Sequence, residues 1–357
     1  MAKRIIVLLL CAAISMSLCA CAGSGGGTPG TAAPTAAPTS APTAAPTAAP
    51  AETAAPAETS APAETSAPVV IENMGLTTTY EKAPERAVAL SYSIAEVMVA
   101  LGLKDKIVAD APSMYLISQV SEKYRDEVAS IPVLEGSYGV PSLETVLETD
   151  PDFVFGDSYS FFATNVGTAE DFQKVGVNIY ATEGTCVDDA SFENNYNDIM
   201  NIGRIFRIED RAEALVNELR SREAEVRAKV SGLEPVSILF VDSDEEGGAI
   251  STVGNTGYLL YLLEMAGCKN IFDDTDGEFI MVSREEVIAR DPDYILVCDY
   301  YGEGYAEQKI QAFKDSADMG DLDAVVNDRF LVISGLAAFP SLESLDFVEE
   351  LAAAVHP

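Results

Sequence analysis

Tyrosine, phenylalanine and small polar residues are the side chains of this chain whose types and spacing could form a ligand-binding surface. A tyrosine offers a flat apolar face and one hydroxyl group, which suits recognition of a molecule with both polar and apolar parts. Most of these residues follow short apolar runs typical of buried strands, and ligands of parallel sheets lie beyond the carboxyl ends of the strands. The predicted ligand-binding residues are Ser91, Tyr92, Tyr138, Asp157, Tyr159, Phe161, Thr252, Asn255, Tyr300, Tyr301 and Phe339, with Phe162 and Tyr305 close to them in sequence. Packing or loop chemistry explains any single one of them about as well as binding does, so the prediction depends on the group.

Catalytic arrangements are poorly supported by the residue types present. The only histidine is His356, next to the last residue of the sequence, so no Ser-His-Asp or Cys-His arrangement is credible. Neither a P-loop nor a Gly-x-Ser-x-Gly turn occurs. Carboxylate pairs are plentiful and leave a glycosidase open, although the lack of tryptophan disfavours an extended sugar cleft. We therefore predict no catalytic residue, no cofactor and no metal-ligating set, and a surface-anchored carbohydrate-active enzyme or sensor module stays open as an alternative.

The charge of the chain limits the partners that it could bind. It contains 57 aspartate and glutamate residues against 22 lysine and arginine residues, which gives a formal net charge of −35. Such a surface repels phosphate backbones, so the sequence predicts no nucleic-acid binding.

The amino-terminal residues predict export and lipid attachment. A positively charged start, Lys3-Arg4, precedes an apolar run over residues 5–14, which is shorter than the roughly 20 residues of a membrane span but suits a signal peptide. The run leads to Leu-Cys-Ala-Cys at residues 18–21, which resembles the bacterial lipobox. We expect a signal peptide over residues 1–20 and a lipid on Cys21 that holds the protein at the outer face of the cell membrane. An ordinary secretory signal with incidental cysteines would also give export.

Residues 21–68 form a low-complexity segment that begins at the expected lipid anchor. It consists mainly of Ala-Pro-Thr and Pro-Ala-Glu-Thr units. Side chains this small, with proline this frequent, cannot build a core. The segment is predicted to be a disordered tether that lets the folded part stand away from the membrane.

Three cysteines remain beyond the predicted leader and anchor, at Cys186, Cys268 and Cys298. An odd number permits at most one disulfide, and the spacing matches no metal motif. Three scattered, largely buried thiols are the simpler prediction.

The rest of the sequence alternates short apolar runs with helical patterns, which is typical of parallel sheets covered by helices. We predict an α/β protein of two lobes with mainly parallel sheets, joined by a single long helical connector, with the ligand cleft between the lobes. The expected parts are an amino-terminal lobe over residues 69–188, connecting helices over 189–234 and a carboxy-terminal lobe over 235–357. Gly203 is expected to interrupt the connector, and residues 210–213 to form a capping box for the helix that follows.

The most informative pattern is an internal repeat. Residues 142–155 (SLETVLETDPDFVF) align without a gap with residues 283–296 (SREEVIARDPDYIL). Each copy predicts a helix with a serine cap, a stop at Asp-Pro and then a buried parallel strand. One copy in each predicted lobe indicates that the two lobes are structurally related.

Glu144 and Glu285 occupy the same position in the two copies, within the first turn of the predicted helices. Acidic residues there complement the positive end of the helix dipole, which could account for either residue by itself. The alternative is that both are exposed on matching edges of the two lobes and dock on a symmetric partner.

The order and spacing of several stretches together resemble the substrate-binding proteins of ABC importers for ferric siderophores, haem and cobalamin. These stretches are residues 84–90 (PERAVAL), 96–102 (EVMVALG), 141–144, 150–155, 259–270 and 282–285 with the strand that follows. The resemblance covers essentially residues 80–357. It implies two lobes joined by one rigid helix, a ligand in the cleft between them, and contacts from Glu144 and Glu285 to arginines on the two copies of a membrane permease.

The expected ligand follows from this resemblance and from the charge of the predicted cleft loops. No arginine stands near those loops, which disfavours an anionic siderophore and favours a neutral or cationic iron chelate. A ferric siderophore-type complex is therefore the first expectation, and a corrinoid or haem, whose iron a tyrosine could ligate, is the alternative within the family. The protein is expected to be a monomer with little movement between lobes, since one long helix is a poor hinge.

Overall fold

The folded part of the protein is described in five stretches by a computed structural model: residues 67–112, 115–136, 139–244, 248–302 and 304–357. These residues belong to one compact unit. The expected signal peptide, Cys21 and the tether up to residue 66 lie outside the described residues. Among the helices of the described stretches, none is both long enough and apolar enough to cross a membrane.

The amino-terminal lobe is built around a parallel sheet. Its strands are β1 (Val69–Asn73), β2 (Leu76–Tyr80), β3 (Ala87–Ala89), β4 (Ile107–Asp110), β5 (Phe153–Gly156) and β6 (Asn178–Ala181). Its helices are α1 (Tyr92–Ala100), α2 (Arg125–Ala129), α3 (Leu143–Leu147) and α4 (Ala169–Lys174). Strands β4, β3, β5 and β6 run parallel in that order, while β1 and β2 form a separate antiparallel hairpin. The sequence did not predict this hairpin, whose turn holds Met74 and Gly75 in the left-handed region.

Two packed helices, α5 (Phe192–Phe206) and α6 (Glu209–Val230), follow the amino-terminal lobe. The break between them lies at Arg207, which is left-handed at φ 61°, and at Ile208. The prediction that Gly203 interrupts the helix is therefore wrong: Gly203 stays helical inside α5. A Cβ atom on Gly203 would lie 2.4 Å from the Cβ of Ala212 in α6, so glycine is needed for close helix packing and not for a break.

Helix α6 supplies the long element of the predicted connector. Its 22 residues extend about 33 Å at 1.5 Å per residue. Ala212, Val216, Leu219 and Val226 are buried at helical spacing and pack the helix against the core, while the other faces are mostly charged. The predicted capping box at residues 210–213 is not the start of this helix, since Ile208 is the cap and makes no side-chain capping bond.

The carboxy-terminal lobe repeats the parallel sheet and adds a second one. Its strands are β7 (Val236–Val241), β8 (Ser243–Asp244), β9 (Ala249–Val253), β10 (Cys268–Asn270), β11 (Phe279–Ser283), β12 (Tyr294–Asp299) and β13 (Phe330–Ser334). Its helices are α7 (Tyr258–Met265), α8 (Arg284–Arg290), α9 (Tyr305–Asp315), α10 (Asp323–Val326) and α11 (Glu343–Val355). Strands β10, β7, β12 and β13 run parallel in that order. Strands β11, β9 and β8 form a small antiparallel sheet that the sequence did not predict.

The two parallel sheets have the same order of strands, which confirms that the lobes are related. In each parallel sheet the strand that comes first in the sequence, β3 or β7, lies second in the sheet. It lies beside the strand of the internal repeat, β5 or β12. The second aspartate of Asp-Pro-Asp fastens these two central strands together. The carboxylate of Asp152 accepts from the backbone N–H of Arg86 at 2.9 Å, just before β3, and that of Asp293 accepts from the N–H of Ser237 in β7 at 3.0 Å.

A continuous apolar core joins the two lobes. Along β7, Ile238 and Phe240 point into this shared core, while Leu239 and Val241 point into a second core on the outer face of the sheet. Both faces of the strand are thus buried, as expected for a parallel sheet covered by helices.

The three cysteines beyond the tether are free thiols. Cys268 and Cys298 are buried, and burial raises the pKa of each thiol to about 12. Cys186 is exposed, which corrects the prediction of largely buried thiols for that residue.

Candidate functional site

A cavity of about 710 Å³ lies between the lobes, within the size range typical of small-molecule sites. Both lobes contribute to its wall. The residues that line it are Leu90, Tyr115, Val140, Asp157, Tyr159, Ser160, Asn165, Asp242, Ser243, Phe279, Tyr300, Tyr301, Tyr305 and Phe339. We call this cavity the cleft.

The parallel sheets position the cleft. Leu90 and Asp157 directly follow β3 and β5, and Asp242 and Tyr300 directly follow β7 and β12. These four strands are the central pairs of the two sheets, so their carboxyl ends face the same space. The position is the one that parallel sheets generally offer to ligands.

Asp157 is the carboxylate that the amino-terminal lobe contributes to the cleft. Its Oδ1 accepts a hydrogen bond of 2.8 Å from the hydroxyl of Thr182, and burial raises the pKa of its carboxyl group. Next to it, burial together with the charges of Glu278 and Asp157 raises the pKa of Tyr159 to about 12. The side-chain amide of Asn165 donates to the carbonyl oxygen of Tyr159 at 2.7 Å and holds this loop in place.

Asp242 is the carboxylate that the carboxy-terminal lobe contributes. Its Oδ1 accepts from the hydroxyl of Tyr300 at 2.6 Å, and its Oδ2 accepts from the hydroxyl of Ser251 at 3.1 Å. The buried ammonium group of Lys309 donates to the carbonyl oxygens of Asp242 and Cys298 and so ties together the ends of β7 and β12. Burial lowers the pKa of Lys309.

Aromatic rings form most of the apolar surface of the cleft. Tyr301 and Tyr305 meet edge to face with ring centroids 4.9 Å apart, and the ammonium group of Lys309 lies 4.3 Å from the centre of the Tyr305 ring. Tyr115 and Phe339, from opposite lobes, have centroids 6.5 Å apart. The lobes therefore already touch through aromatic side chains at the cleft wall.

The charge of the cleft is negative. Asp157 and Asp242 line it, one from each lobe, and none of the described residues that line it is a lysine or an arginine. A ligand that is neutral or positively charged would meet no cationic group there. An anionic ligand would have to approach both carboxylates, and the charge of Lys309, which acts on Asp242, is carried by a buried side chain that does not line the cleft.

A polar bridge between the lobes lies beside the cleft. The side-chain amide of Gln119 donates to the carbonyl oxygen of Asp299 at 2.8 Å. Gly335 packs against the rings of Tyr300 and Tyr115, and a Cβ there would lie 2.5 Å from the Tyr300 ring. Glycine at this position leaves room for the Tyr300 ring of the same lobe, and the Tyr115 ring of the other lobe lies beside it.

Five of the predicted ligand-binding residues line the cleft: Asp157, Tyr159, Tyr300, Tyr301 and Phe339. Tyr305, also singled out in the sequence, lines it as well. Their contacts with a ligand remain predictions.

The structure places five of the six other predicted residues away from the lining of the cleft. Ser91 is the buried cap of α1 and accepts from the N–H of Ser93. Tyr92 is the first residue of that helix and packs on the apolar core that joins the two lobes. Phe161 is buried in an apolar cluster of the amino-terminal lobe together with Val88, Val154 and Phe172. Thr252 is buried within β9.

Asn255 stabilises a loop, since its side-chain amide donates to Asp276 at 2.9 Å and its oxygen accepts from the N–H of Gly277. Tyr138 lies outside the described residues. Neither is among the described residues that line the cleft.

Sequence reasoning missed several residues of the cleft. Asp242 and Ser243 follow β7, so the rule that selected Asp157 and Tyr300 would also have selected them. Phe279 belongs to the antiparallel sheet, which carried no clear signal. The other missed residues, in loops or next to predicted ones, are Leu90, Tyr115, Val140, Ser160 and Asn165.

Glu144 and Glu285 occupy equivalent exposed positions in the two lobes. Each lies in the first turn of its helix, α3 or α8. Ser142 and Ser283 are the caps, and their hydroxyl oxygens accept from backbone N–H groups three residues later, each at 3.2 Å. The glutamates themselves are not needed for capping and point to the surface of matching elements.

Comparison with known proteins identifies the class that this fold and cleft define. Residues 88–335 match the periplasmic binding protein family, and the chain belongs to this family. The match includes both parallel sheets and the helices α5 and α6.

Three similar proteins show the range of the family around this chain. The ABC transporter substrate-binding lipoprotein YvrC of Bacillus subtilis is 24% identical over 282 residues, which are 78% of this chain and 82% of the relative. A vitamin B12-binding protein of Vibrio parahaemolyticus is 25% identical over 213 residues, 59% of this chain and 70% of the relative. A solved structure of an ABC-type Fe³⁺-hydroxamate transport system from Saccharomonospora viridis has a TM-score of 0.67 at 27% identity and covers 81% of this chain and 99% of that chain.

The chain is therefore an extracytoplasmic substrate-binding protein of an ABC importer, which binds a small molecule and works with an ABC permease. This confirms the prediction of a binding protein. The alternative of a carbohydrate-active enzyme is wrong, because members of the family are transport proteins.

Proposed function

We propose that the protein binds a ferric siderophore-type iron chelate, neutral or positively charged, and delivers it to the permease of an ABC importer. The observation that carries the proposal is the make-up of the cleft. Five tyrosines and two phenylalanines from both lobes offer flat apolar faces and hydroxyl groups, beside one carboxylate per lobe. The similarity to the Fe³⁺-hydroxamate transport protein supports the same class of ligand.

The charge of the cleft supports the proposal that the ligand is neutral or positively charged. Asp157 and Asp242 attract positive charge, and the described lining of the cleft contains no cationic side chain. Desolvated carboxylates of this kind discriminate strongly against anions, since like charges in a confined site repel each other. A cationic hydroxamate chelate satisfies the carboxylates, and its hydrocarbon linkers fit against the aromatic rings.

Intrinsic tyrosine fluorescence tests the ligand class. The chain contains no tryptophan, so tyrosine emission reports on a cleft that holds five of its 14 tyrosines. We expect saturable quenching at one equivalent by ferrioxamine B, which is cationic, and by ferrichrome, which is neutral, and weaker quenching by the anionic ferric enterobactin. Titration of free tyrosine amide corrects for absorption by the iron complexes. A response to a sugar or peptide and to none of the chelates would contradict the proposal.

A corrinoid is the second candidate ligand, and the similarity to a vitamin B12-binding protein favours it. Cyanocobalamin is neutral and offers a broad apolar face, so it too suits an aromatic cleft without cationic side chains. The same titration with cyanocobalamin distinguishes the two candidates. Only the class of ligand that the protein binds should give quenching that saturates at one equivalent.

We infer that Glu144 and Glu285 dock the protein on the two permease copies. Their exposure on equivalent helices of related lobes supports this assignment. A dimeric partner presents the same surface twice, and two matching acidic residues suit two copies of one basic surface.

We also propose that a lipid on Cys21 anchors the protein at the outer face of the cell membrane. Cys21 lies outside the described residues, and the proposal is supported by the sequence around it and by the similarity to a lipoprotein of Bacillus subtilis. Metabolic labelling with a tritiated fatty acid tests it. The label should appear in the full chain and be lost in the Cys21→Ala variant.

A further inference from the structure

Two glutamates, Glu96 and Glu343, meet where the two lobes are in contact behind the cleft. Glu96 lies on α1 of the amino-terminal lobe and is fully buried, while Glu343 begins α11 of the carboxy-terminal lobe and is half-buried. Their carboxyl groups are in hydrogen-bonding contact and line a cavity of about 130 Å³. No described residue lines both this cavity and the cleft, so the pair is separate from the proposed ligand site.

The hydrogen bonds of this pair require a proton. The Oε1 atom of Glu96 accepts from the backbone N–H of Ser121 at 3.2 Å. Its Oε2 atom and the Oε1 atom of Glu343 are buried and find no donor among the described residues. Ionised carboxylates only accept hydrogen bonds, so two of them in contact leave both oxygens unsatisfied. One proton on either group converts the contact into a hydrogen bond.

The segment of residues 118–125, which ends at the first residue of α2, does not neutralise the pair. Its Arg125 is the cation that attracts Glu343, but the guanidinium donates to the carbonyl oxygens of Val120 and Ser118. Lys123 and Tyr124 also line the cavity, and the ammonium group of Lys123 lies 4.9 Å from the centre of the Tyr124 ring. Both cations of this segment therefore have other partners.

The helices α6 and α11 make the surroundings of the pair still more acidic. Arg222 of α6 lines the cavity but is bound by Asp346 and Glu349 of α11, the latter at 2.8 Å. Glu218 of α6 and Asp346 add negative charge to the cavity wall. Since these cations are already paired, two ionised carboxylates at the contact would repel each other.

We propose that Glu96 and Glu343 share a single proton. The bound proton closes a contact between the two lobes, and the contact opens when the proton is lost. The lobes are then held together at low and neutral pH by a hydrogen bond between α1 and the start of α11. Loss of the proton in alkaline solution turns this bond into repulsion. The proton acts on the ligand-free protein, so the proposal does not depend on which ligand the cleft binds.

The direction of the pH dependence follows from the protonation of Glu96. Burial first, and then the charge and hydrogen bond of Glu343, raise the pKa of Glu96 from 4.5 to about 9, and burial also raises the pKa of Glu343. Below pH 4.5 the folded and unfolded chains both hold the proton, so its stabilising effect is complete. Between pH 4.5 and about 9 only the folded chain holds it, and stability falls as pH rises. For one such proton the folding equilibrium constant falls about tenfold per pH unit.

Urea unfolding of the ligand-free protein between pH 5.5 and 9 tests the shared proton. In the Glu96→Gln variant an amide donates to Glu343 at every pH, so we expect its stability to lose the tenfold fall per pH unit that Glu96 causes in the wild type. Other buried carboxyl groups contribute equally to both proteins and cancel in the comparison. Glu350→Gln removes an exposed carboxylate from the same helix as Glu343 and should keep the wild-type slope. A wild-type slope in Glu96→Gln would overturn the proposal.

Two measurements on folded protein keep the test decisive if Glu96→Gln does not fold. Infrared difference spectra between pH 7 and pH 10 should show protonated carboxyl absorption that is lost in alkali, and the loss should be smaller in Glu343→Gln, where an amide donates to Glu96, while other buried carboxyl groups such as Asp110 contribute equally to both proteins. Hydrogen exchange of residues 117–125, corrected for the intrinsic pH effect, should be faster at pH 10 in the wild type and unchanged in Glu343→Gln. An unchanged loss of the carboxyl band in Glu343→Gln would contradict the shared proton. Equal protection from hydrogen exchange at both pH values in the wild type would contradict the lobe contact.

Discussion

Asp157 and Asp242 show how two identical side chains acquire similar positions in a binding site through different local contacts. Asp157 is held by the hydroxyl of Thr182, and Asp242 is held by the hydroxyls of Tyr300 and Ser251. In each case a hydroxyl donates to the carboxyl group and fixes its orientation. The cleft thus keeps one oriented carboxylate on each wall.

Replacing Asp242 with asparagine should weaken the binding of a cationic ligand selectively. The amide oxygen can still accept from Tyr300, but the charge is lost, and an interaction with a charged group is worth about 1–2 kcal/mol more than a neutral one. We expect binding of ferrioxamine B to weaken about tenfold, with little change for the neutral ferrichrome. Calorimetric titration measures both affinities.

The control for this prediction is Asp321→Asn, which removes an exposed carboxylate of the same lobe that does not line the cleft. It should leave both affinities unchanged. Equal weakening for the two chelates in Asp242→Asn would indicate loss of shape and not of charge.

Helices α5 and α6 illustrate how tertiary contact, and not local propensity, decides the role of a residue in an element. Glycine in a helix generally marks a weak point, since it costs about 1 kcal/mol relative to alanine. Gly203 is instead buried at the crossing of the two helices, where a side chain would meet Ala212. The chain reverses only at Arg207 and Ile208.

The Gly203→Ala variant should be less stable than the wild type, although alanine favours helices. The added methyl group would lie 2.4 Å from the Cβ of Ala212, so the helices must separate. Overpacking of this kind costs about 1–3 kcal/mol, which exceeds the gain in helix propensity. Urea unfolding measures the difference. Ser221→Ala, on an exposed face of α6, is the control and should be neutral or slightly stabilising.

The Asp-Pro-Asp units lead to a second prediction, which concerns the stability that they give to the central strands. Asp152 and Asp293 each accept hydrogen bonds from the chain at the start of the neighbouring central strand. Replacing either with alanine should cost about 1–2 kcal/mol of unfolding free energy, because the N–H groups lose a charged acceptor. The two losses should add, since the residues lie in different lobes and share no partner. A double variant much less stable than the sum, measured by urea unfolding, would show that the lobes are coupled through these strands.

The whole molecule brings together groups that neither lobe possesses alone. The cleft takes aromatic rings and a carboxylate from each lobe, and the Gln119–Asp299 bridge and the Glu96–Glu343 pair join the lobes beside and behind it. A continuous core also connects the lobes. This arrangement supports the expectation of small movement between the lobes, which remains a prediction.

Docking on the permease is the prediction that belongs to the whole molecule. Replacing both Glu144 and Glu285 with alanine should abolish most uptake of the transported chelate by whole cells, because in the proposed docking each glutamate contacts one of the two permease copies. Each single variant should lose part of the uptake. Binding of the same chelate by the purified protein should be unchanged, because neither residue lines the cleft.

The control for docking is Glu148→Ala, an exposed residue just after α3. It should transport normally. Normal uptake by the double variant would show that the two glutamates only complement their helix dipoles, which is the other explanation for acids in a first helical turn.

The sequence by itself determined the α/β class, the two related lobes and the positions of Glu144 and Glu285. These features depend on local patterns: apolar runs that form buried strands, serine caps, Asp-Pro stops and a gapless repeat. The rule that ligands lie beyond parallel strands also selected Asp157, Tyr159, Tyr300 and Tyr301, because the end of a strand can be recognised along the chain.

Only the tertiary structure decided which polar residues line the cleft and which stabilise the fold. Ser91 and Phe161 also follow strands, but one caps a helix and the other is buried in a core. Tyr115 and Phe279 reach the cleft from a loop and from an antiparallel sheet, whose positions depend on packing over long sequence distances. The proton-sharing contact of Glu96 and Glu343 joins residues 247 positions apart, the difference of their residue numbers. No local pattern can predict such a pair, since burial and proximity arise only when both lobes are packed together.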